Sequence, residues 1–326
     1  MPDSGSTTPT VSVIVPNYKR PDLLRKCLLS LFQQDLPGVE YEIIVVDSSP
    51  DDKPAAVFRE LASQAMCPLR WYSKWPEGPG LSRNLGAQNA RGRFLAFIDN
   101  DCQPSPQWLR TGLSAFTETT GIVQGRTLPD PQGHPGVFTH YILVERESYL
   151  YETCNIFYRR EAFEQAGGFH GRDLTPRADS PIGGEDTDLA WRVKRNSWQS
   201  RFAAESVVYH EIIPISAWKW LFSKRMFVFP PVVRRFPELR RFMFARYFYD
   251  RNQAYFCLAL TGILAARFFP LSLLLGLPYI LRRGFEPSQT LRGPLRVLRL
   301  AAYSLRDGLA FAVLLAASLR YRSLLL

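Results

Sequence analysis

The chain has 326 residues, of which 46% are hydrophobic and 21% are charged, and this balance excludes a wholly disordered protein. The formal net charge of +10 arises entirely in the last third, because residues 211–326 contain 18 Lys and Arg but only 5 Asp and Glu. These basic residues are interleaved with leucines and aromatics, which indicates contact with an anionic membrane surface or with nucleic acid.

The cysteines and the N-terminus bear on the cellular compartment. The five cysteines are scattered and include no CxxC pair, so they predict neither a zinc site nor a disulfide framework. Residues 1–9 are polar, lack the apolar core of a signal peptide and are predicted to form a disordered tail. We therefore expect the folded part of the chain that follows this tail to lie in the reducing cytosol.

From residue 10 onwards, short β-rich runs alternate with segments of helical periodicity. The sequence predicts buried strands at 10–16, 42–47 and 93–99 and a short strand at 68–72. It also predicts helices after Pro21, at 52–65 and at 81–90, and two later strands near 153–160 and 202–210. This order is typical of an α/β protein whose mostly parallel sheet is covered by helices on both faces. Ligands bind such sheets at the carboxyl ends of the strands, which here are followed by the polar segments 16–20, 47–49 and 99–101.

Beyond residue 210 the sequence becomes helical in pattern, hydrophobic and basic. Apolar runs at 254–266 and 268–281 are separated by Arg267, and a third run lies at 309–319. Each run is shorter than the roughly 20 residues that span a bilayer, so a re-entrant or interfacial helical pair is predicted. Because the arginines lie among leucine and phenylalanine runs, membrane contact is favoured over nucleic acid, with the arginines facing the cytosol.

A first candidate for chemistry is the tripeptide Asp99-Asn100-Asp101, which ends the predicted strand 93–99. In an extended segment, residues i and i+2 point to the same side, so both carboxylates would face one spot. Two carboxylates held that close repel each other unless a cation lies between them, and a hard divalent ion would satisfy them. The alternative is a solvated turn, because aspartate and asparagine are common after strands.

Two further candidates lie later in the chain. Residues 183–189, Gly-Gly-Glu-Asp-Thr-Asp-Leu, lead into a basic helical segment. Carboxylates in the first turn of a helix are favoured by its dipole, so they indicate either simple helix capping or a carboxylate kept ionised as a general base. His210 closes the predicted strand 202–210, and it becomes a metal-ligand candidate only if the fold brings it near Asp101.

The combination of these segments is more specific than any one of them. VSVIVPNYKR, EIIVVDSS, LSRNLGAQNARGRFLAFIDND, GGF at 167–169 and GGEDTDLAWR follow one another in this order. Together they resemble family 2 of the inverting glycosyltransferases, which have the GT-A fold, and the resemblance covers residues 10–210. It implies a GT-A catalytic domain at 10–215, followed by a helical, membrane-associated region at 216–326.

The resemblance also implies a role for each matching residue. Asp186 corresponds to the catalytic base and Glu185 to its neighbour at the acceptor hydroxyl. Asp101 corresponds to the metal ligand, with Asp99 toward the ribose and also near the metal, and with His210 completing the metal site. The residues that correspond to the donor pocket are Pro16, Asn17, Tyr18, Arg20, Asp47, Arg83, Asn84, Asp99 and Asn100.

These roles lead to a functional expectation with two alternatives. The chain is expected to transfer a sugar, with inversion and with Mg²⁺ or Mn²⁺, from a nucleotide-diphosphate sugar to a sugar or lipid-linked acceptor in cell-envelope, polysaccharide or glycolipid synthesis. It is expected to act at the cytoplasmic face of the cell membrane and to bind no nucleic acid. The alternatives are a nucleotidyltransferase on a related fold and a membrane scaffold that binds nucleotide sugars without turnover.

Overall fold

The computed structural model describes residues 9–171, 174, 183–222, 224–284 and 294–326. The chain divides into two compact units, which we call the N-terminal and the C-terminal unit. The first comprises Met1–Asp173 with Gly184–Pro214, and the second comprises Leu174–Gly183 with Ile215–Leu326. Of the predicted disordered tail, residues 1–8 lie outside the described residues.

The N-terminal unit consists of an eight-stranded sheet, a two-stranded sheet and six helices of α type in its described residues. The strands are β1 Val11–Asn17, β2 Tyr41–Asp47, β3 Leu69–Ser73, β4 Phe94–Phe97, β5 Cys102–Pro104, β6 Thr120–Pro129, β7 Thr139–His140, β8 Ile156–Arg159, β9 Gln199–His210 and β10 Ile213–Pro214. The helices are α1 Pro21–Leu31, α2 Lys53–Ala62, α3 Pro79–Asn89, α4 Trp108–Ser114, α5 Arg160–Gln165 and α6 Glu185–Arg195, and a 3₁₀ turn spans Thr153–Asn155.

The large sheet has the strand order β3-β2-β1-β4-β8-β6-β9-β5. Strands β1 to β4 pair in parallel, and β6 pairs in parallel with β9. Only β8 and β5 run antiparallel to their neighbours in this sheet, so six of its eight strands share one direction. This arrangement confirms the predicted α/β architecture with a mostly parallel sheet.

The core of this unit forms because the apolar runs are covered on both sides. Val13 in β1 and Val45 in β2 are fully buried in one hydrophobic cluster. The apolar stripe of α1, which recurs at helical spacing, is buried in the same cluster and consists of Leu24, Cys27, Leu28 and Leu31. Full burial of one leucine stabilises the fold by roughly 1.5–3 kcal/mol relative to exposure. Hydrophobic periodicity therefore decides which face of α1 meets the sheet.

The sequence predicts no helix or strand between residues 99 and 153. Residues 102–129 nevertheless contain β5, α4 and the ten-residue strand β6. Glycines obscure the pattern of β6. A side chain at Gly125 would overlap the Ser206 carbonyl oxygen and the Asn155 side chain, so only glycine permits this close approach. A register shift between Gly125 and Arg126 marks an irregularity in the pairing with β9.

The C-terminal unit is helical, as predicted. Its α-helices are α7 Ala217–Leu221, α8 Phe229–Arg235, α9 Arg251–Ala265, α10 Leu277–Gly284 and α11 Pro294–Tyr321, and its 3₁₀ helices are Lys224–Val228, Pro237–Phe242 and Pro270–Gly276. The apolar run 309–319, which the sequence analysis treats as short, belongs to the 28-residue helix α11. Within the described residues, one segment, Val297–Tyr321 of α11, is long and apolar enough to cross a membrane by length and composition.

Candidate active site

The candidate site residues gather at one edge of the N-terminal unit, where β1, β2 and β4 end. The first turns of α3 and α6 lie against each other there. A Cβ atom at Gly80 would lie only 3.3 Å from Glu185 Cγ. Helix N-termini carry partial positive charge, so this edge favours anionic groups. Gly184, in the left-handed conformation with a φ of 79°, starts α6 directly before Glu185.

A chain of hydrogen bonds ties the predicted donor residues together. Asn17 Nδ2 donates to Asp47 Oδ1 at 2.7 Å, and Asn100 Nδ2 donates to Asn17 Oδ1 at 2.5 Å. Ser49 Oγ also donates to Asp47 Oδ1, at 2.6 Å. Because Asn17, Asp47 and Asn100 are buried, these bonds orient the ends of β1 and β2 relative to the turn that follows β4.

The remaining residues of segment 16–20 differ in what they contact. Pro16 lies within β1 opposite Val46, and Tyr18 is half exposed. Arg20 has a φ of 59° and directs its guanidinium across the site, where Nη1 donates to Asp101 Oδ2 at 2.7 Å. The left-handed backbone at Arg20 lets the chain turn sharply from β1 into α1.

The segment from Asp99 to Asp101 is a turn rather than the extended segment expected from the sequence. The backbone N–H of Cys102 donates to the Asp99 carbonyl oxygen at 3.1 Å, which closes the turn. The two carboxylates therefore take different partners instead of facing one spot. Asp99 Oδ1 accepts a hydrogen bond from Arg83 Nη2 at 2.6 Å, whereas Asp101 lies beside Arg20 and His210.

Arg83 on α3 connects the two groups of carboxylates. Its buried guanidinium bonds Asp99 through Nη2 and lies 3.6 Å from Asp186 Oδ1 through Nη1. Its guanidinium carbon Cζ also lies 5.6 Å from the centroid of the Phe169 ring. Burial opposes the charge on Arg83, but Asp99, Asp186 and Glu185 together raise its pKa above the ordinary value. The Arg83 guanidinium is therefore a permanent cation between Asp99 and the acidic start of α6.

Asn84, predicted to lie near the donor, has its side-chain amide bonded to a neighbouring loop. Its Nδ2 donates to the Phe169 carbonyl oxygen at 2.7 Å, and its Oδ1 accepts from the Phe169 backbone N–H at 2.8 Å. This pair of bonds holds the Gly167–Gly168 turn, where both glycines have positive φ. Asn84 thus positions Phe169, which in turn lies against Arg83.

Asp186 is held at the start of α6 by a clamp on one of its two oxygens. Its Oδ2 accepts from the backbone N–H of Thr153 at 3.2 Å and from Thr153 Oγ1 at 3.0 Å. Its buried Oδ1 faces Arg83 and has no hydrogen-bond partner among the described residues. Burial raises the pKa of Asp186 above its ordinary value, while the charge of Arg83 and the bonds from Thr153 oppose that rise.

The pKa of Glu185, the other member of the acidic pair, is raised as well. Burial, followed by repulsion from Asp186, raises the pKa of Glu185 to about 7. The positive charge of Arg83 offsets part of this rise in the Glu185 pKa. Two adjacent carboxylates with raised pKa values are typical of a site that exchanges protons near neutral pH.

Asp101, Cys102 and His210 form the one candidate metal cluster in the described part of the chain, with their ligand atoms within 4.8 Å of one another. His210 Nδ1 lies 2.7 Å from the Glu211 carbonyl oxygen, to which it can only donate, so Nε2 is the nitrogen that would bind a metal. Nε2 lies 3.7 Å from Asp101 Oδ1. Cys102 is unsuitable, because burial raises the pKa of its thiol well above the ordinary value.

The carboxylate of Asp101 and the imidazole of His210 therefore fit a divalent cation such as Mg²⁺ or Mn²⁺. The condition set by the sequence for His210 is met, because the last residue of β9 lies beside Asp101. Asp99, predicted to lie near the metal as well, is paired with Arg83 and lies outside this cluster.

Sequence reasoning missed Thr153 and Glu152, which lie at the start of the strand predicted near 153–160. Thr153 begins the 3₁₀ turn before β8, and Thr187 Oγ1 on α6 donates to the Leu150 carbonyl oxygen at 2.9 Å, which ties this loop to the acidic helix. Glu152 accepts from Gln124 Nε2 at 3.0 Å and is close enough to Asp186 to interact electrostatically. No motif marks either residue, since the contacts join residues 28 or more positions apart in the chain.

The fold and the site together define a GT-A glycosyltransferase domain. Residues 12–173 match the family described as Glycosyl transferase family 2, and the chain belongs to that family. It is 31% identical over 173 residues to Glycosyltransferase AglE of Haloferax volcanii, an alignment that covers 50% of this chain and 57% of that protein.

Two further comparisons extend this result. The chain is 30% identical over 126 residues to the GalNAc(5)-diNAcBac-PP-undecaprenol beta-1,3-glucosyltransferase of Campylobacter jejuni, covering 39% of this chain and 40% of that protein. The mannosyltransferase PcManGT of Pyrobaculum calidifontis, solved in complex with GDP-Man and Mn²⁺, superposes with a TM-score of 0.58 at 18% identity over 97% of this chain and 88% of that one. The chain thus shares its fold, but spans only 57% and 40% of the two curated relatives.

Proposed function

We propose that the chain is an inverting, metal-dependent glycosyltransferase that moves a sugar from a nucleotide-diphosphate sugar to an acceptor hydroxyl. The observation that carries this proposal is the line of contacts from Asp99 through the buried Arg83 to Asp186. It connects a carboxylate at the proposed donor edge of the sheet with a carboxylate that can accept a proton. Membership of the family supports glycosyl transfer as the reaction class.

In the proposed reaction, the carboxylate of Asp186 takes the proton of the acceptor hydroxyl. The hydroxyl oxygen then forms a bond to the anomeric carbon from the face opposite the diphosphate. The bond from the anomeric carbon to the diphosphate oxygen breaks, and its electron pair leaves with the nucleoside diphosphate. One such displacement inverts the anomeric configuration, and general-base assistance of this kind commonly accelerates a reaction by ~10²–10⁴-fold.

The neighbours of Asp186 prepare it for this role. Thr153 donates two hydrogen bonds to Oδ2 and so fixes the orientation of the carboxylate. Arg83 counteracts the effect of burial on the Asp186 pKa and so keeps a larger fraction of the carboxylate ionised at neutral pH. Glu185 is proposed to hydrogen-bond the acceptor hydroxyl, as the family resemblance implies for this position.

A divalent cation completes the proposed site, with Asp101 and His210 as the residues that would hold it. When bound, Mg²⁺ or Mn²⁺ neutralises the negative charge that grows on the departing diphosphate. Asp99, paired with Arg83, would lie toward the ribose, as the family resemblance implies, and Arg20 adds positive charge beside Asp101. The similarity to PcManGT, a protein solved with both GDP-Man and Mn²⁺, supports this combination of ligands.

The donor pocket is proposed to lie along the ends of β1 and β2. The side chains of Asn17, Asp47 and Asn100 form a buried polar network there, and such a network suits the recognition of a nucleoside. Tyr18 presents a half-exposed ring directly after β1, which can stack on a base.

The acceptor is proposed to be a sugar or a lipid-linked sugar at the cytoplasmic face of the cell membrane, in cell-envelope, polysaccharide or glycolipid synthesis. One relative is named for a PP-undecaprenol-linked acceptor, which supports a lipid carrier. In this proposal residues 10–215 form the catalytic domain, and residues 216–326 form the membrane-associated region, whose basic and apolar composition suits an anionic bilayer surface.

The test is a panel of UDP, GDP, dTDP and CDP sugars, each with and without Mn²⁺, offered to the full chain and to Asp186→Asn. Binding to the folded state at a hundredfold excess over Kd raises stability by about 2.7 kcal/mol, which a thermal melt detects. One donor should stabilise both proteins only with metal, and only the unaltered chain should release nucleoside diphosphate. Release of pyrophosphate would indicate a nucleotidyltransferase, and binding without any release would indicate a scaffold.

A further inference from the structure

The C-terminal unit exposes an unusual run of large apolar side chains where α9 ends and α10 begins. We call residues 263–281 the hairpin tip. Phe268 is 74% and Leu271 is 80% exposed. Others at least half exposed in the tip are Ile263, Leu264, Phe269, Leu273, Leu274 and Leu281. Contiguous apolar surface of this kind marks a site that contacts a membrane or another protein, since isolated exposed residues are normal but a run is not.

The charges around the hairpin tip favour a membrane over a protein. Residues 263–282 contain two exposed arginines, Arg267 and Arg282, but no Asp or Glu. An apolar centre flanked only by arginines matches an anionic lipid surface, where the apolar side chains enter the acyl boundary and the cations remain at the headgroups.

The tip is folded back on α9 and does not continue it as a straight apolar rod. Ser272 Oγ donates to the Gly262 carbonyl oxygen at 2.7 Å. A side chain at Gly262 would overlap the Ser272 carbonyl oxygen, so glycine is required where the two segments touch. Residues 251–281 therefore form a compact hairpin, whose two halves are each too short to cross a bilayer of about 30 Å.

A buried polar brace holds α9, α10 and α11 together behind the tip. Arg283 makes a two-point bond to Asp307, with Nε to Oδ2 at 2.8 Å and Nη2 to Oδ1 at 2.7 Å. The Tyr279 hydroxyl donates to Asp307 Oδ2 at 2.9 Å, and Gln253 Nε2 donates to the Asp307 carbonyl oxygen at 3.3 Å. Because these groups are desolvated, the brace fixes how the hairpin is presented.

The same brace bears on α11, whose composition alone would allow a membrane span. Between Asp307 and Arg320 lie 12 residues without a charge, Gly308 to Leu319. At 1.5 Å per residue they extend about 18 Å, well short of the roughly 30 Å hydrocarbon core. Leu314 and Ala317 in this stretch are fully buried, and Arg234 Nη1 donates to the Tyr321 carbonyl oxygen at 3.0 Å. Helix α11 is thus tied into the folded unit at its middle, through Asp307, and at its C-terminal end, through Tyr321.

We propose that the hairpin tip inserts into one leaflet of an anionic membrane, and that α11 remains part of the folded unit instead of spanning the bilayer. The inference rests on the membrane-held acceptor of the proposed function and names the surface and the mode of attachment. It is tested by binding alone, so its failure is separate from any failure of sugar transfer.

The experiment compares three full-length proteins, with the unaltered chain as reference. The tip variant carries Leu271→Glu and Leu274→Glu, and the control carries Leu298→Glu and Leu319→Glu on the exposed face of α11, where the leucines are 66% and 72% exposed. All four positions are exposed, so both variants should fold, as circular dichroism and thermal melts verify. Flotation with phosphatidylcholine vesicles, with and without 30% phosphatidylglycerol, measures binding, and carbonate extraction of cell membranes measures attachment.

We expect the unaltered chain and the α11 control to float with the phosphatidylglycerol vesicles. The tip variant should bind them at least about tenfold more weakly and should leave the membrane pellet in carbonate. A tip variant that stays in the carbonate pellet would overturn the proposal in favour of a spanning helix. Equal flotation of tip variant and reference, or a tip variant that changes only the oligomeric state, would overturn it in favour of a protein partner or a second copy.

Discussion

Replacing Thr153 with valine tests whether the clamp on Asp186 matters for catalysis. Valine has nearly the shape of threonine but lacks the hydroxyl, so it removes the 3.0 Å bond to Asp186 Oδ2 while the backbone N–H at 3.2 Å remains. A hydrogen bond to a charged group contributes roughly 1.5–3 kcal/mol. The lower figure corresponds to about one pKa unit, since one unit equals about 1.4 kcal/mol.

The direction of the effect follows from the charge state that the bond favours. Thr153 donates to the ionised carboxylate and lowers the pKa of Asp186, so its loss raises that pKa further above the ordinary value. The groups that act electrostatically on the pair or titrate beside it are Arg83, Asp99, Glu152, Tyr158 and Glu185, and none of them is altered. The acidic side of the pH profile of kcat should therefore move about one pH unit higher. Turnover at neutral pH should fall up to about tenfold.

The assay is release of nucleoside diphosphate measured between pH 5.5 and 9, with Thr153→Ser as the matched control. Serine keeps the hydroxyl, so it should restore the original pH profile and most of the turnover. If Thr153→Val lowers turnover equally at every pH, the hydroxyl does not tune the base. If Thr153→Ser is as impaired as the valine variant, the effect comes from packing and the reasoning is refuted.

Three other outcomes are expected. Asp186→Asn should lower kcat by ~10²–10⁴-fold with donor affinity nearly unchanged, measured by steady-state kinetics and calorimetry; near-normal turnover would reject the assigned base. Asp101→Ala should abolish the metal-dependent part of donor stabilisation in a thermal melt, whereas the matched variant Asp130→Ala should keep it; unchanged stabilisation in Asp101→Ala would count against the metal site. The raised pKa of Glu185, about 7, means that the folded state binds more protons than the unfolded one above pH 4.5, so this contribution to stability is lost as pH rises through 7. Glu185→Gln should flatten that decline in urea titrations at pH 5 and 8, and an unaltered slope would show that Glu185 is not its source.

The sequence allows much of the sheet and most members of the candidate site to be predicted. Buried strands and the α1 stripe are visible because their apolar periodicity is a local property. The acidic residues at the ends of β4 and at the start of α6 are visible for the same reason, since strand ends and helix starts have local signatures. Strand β6 is not, because Gly125 is selected by a close approach of Ser206 that no local pattern records.

The sequence by itself determined the α/β order, the acidic segments and the basic, apolar character of the last third, because each is encoded in neighbouring residues. Only the tertiary structure decided how these residues are paired. It brought His210 beside Asp101, placed Arg83 between Asp99 and Asp186, and assigned Thr153 to one oxygen of the candidate base. Such contacts depend on how distant strands and helices pack, and packing is a property of the whole fold rather than of any short segment.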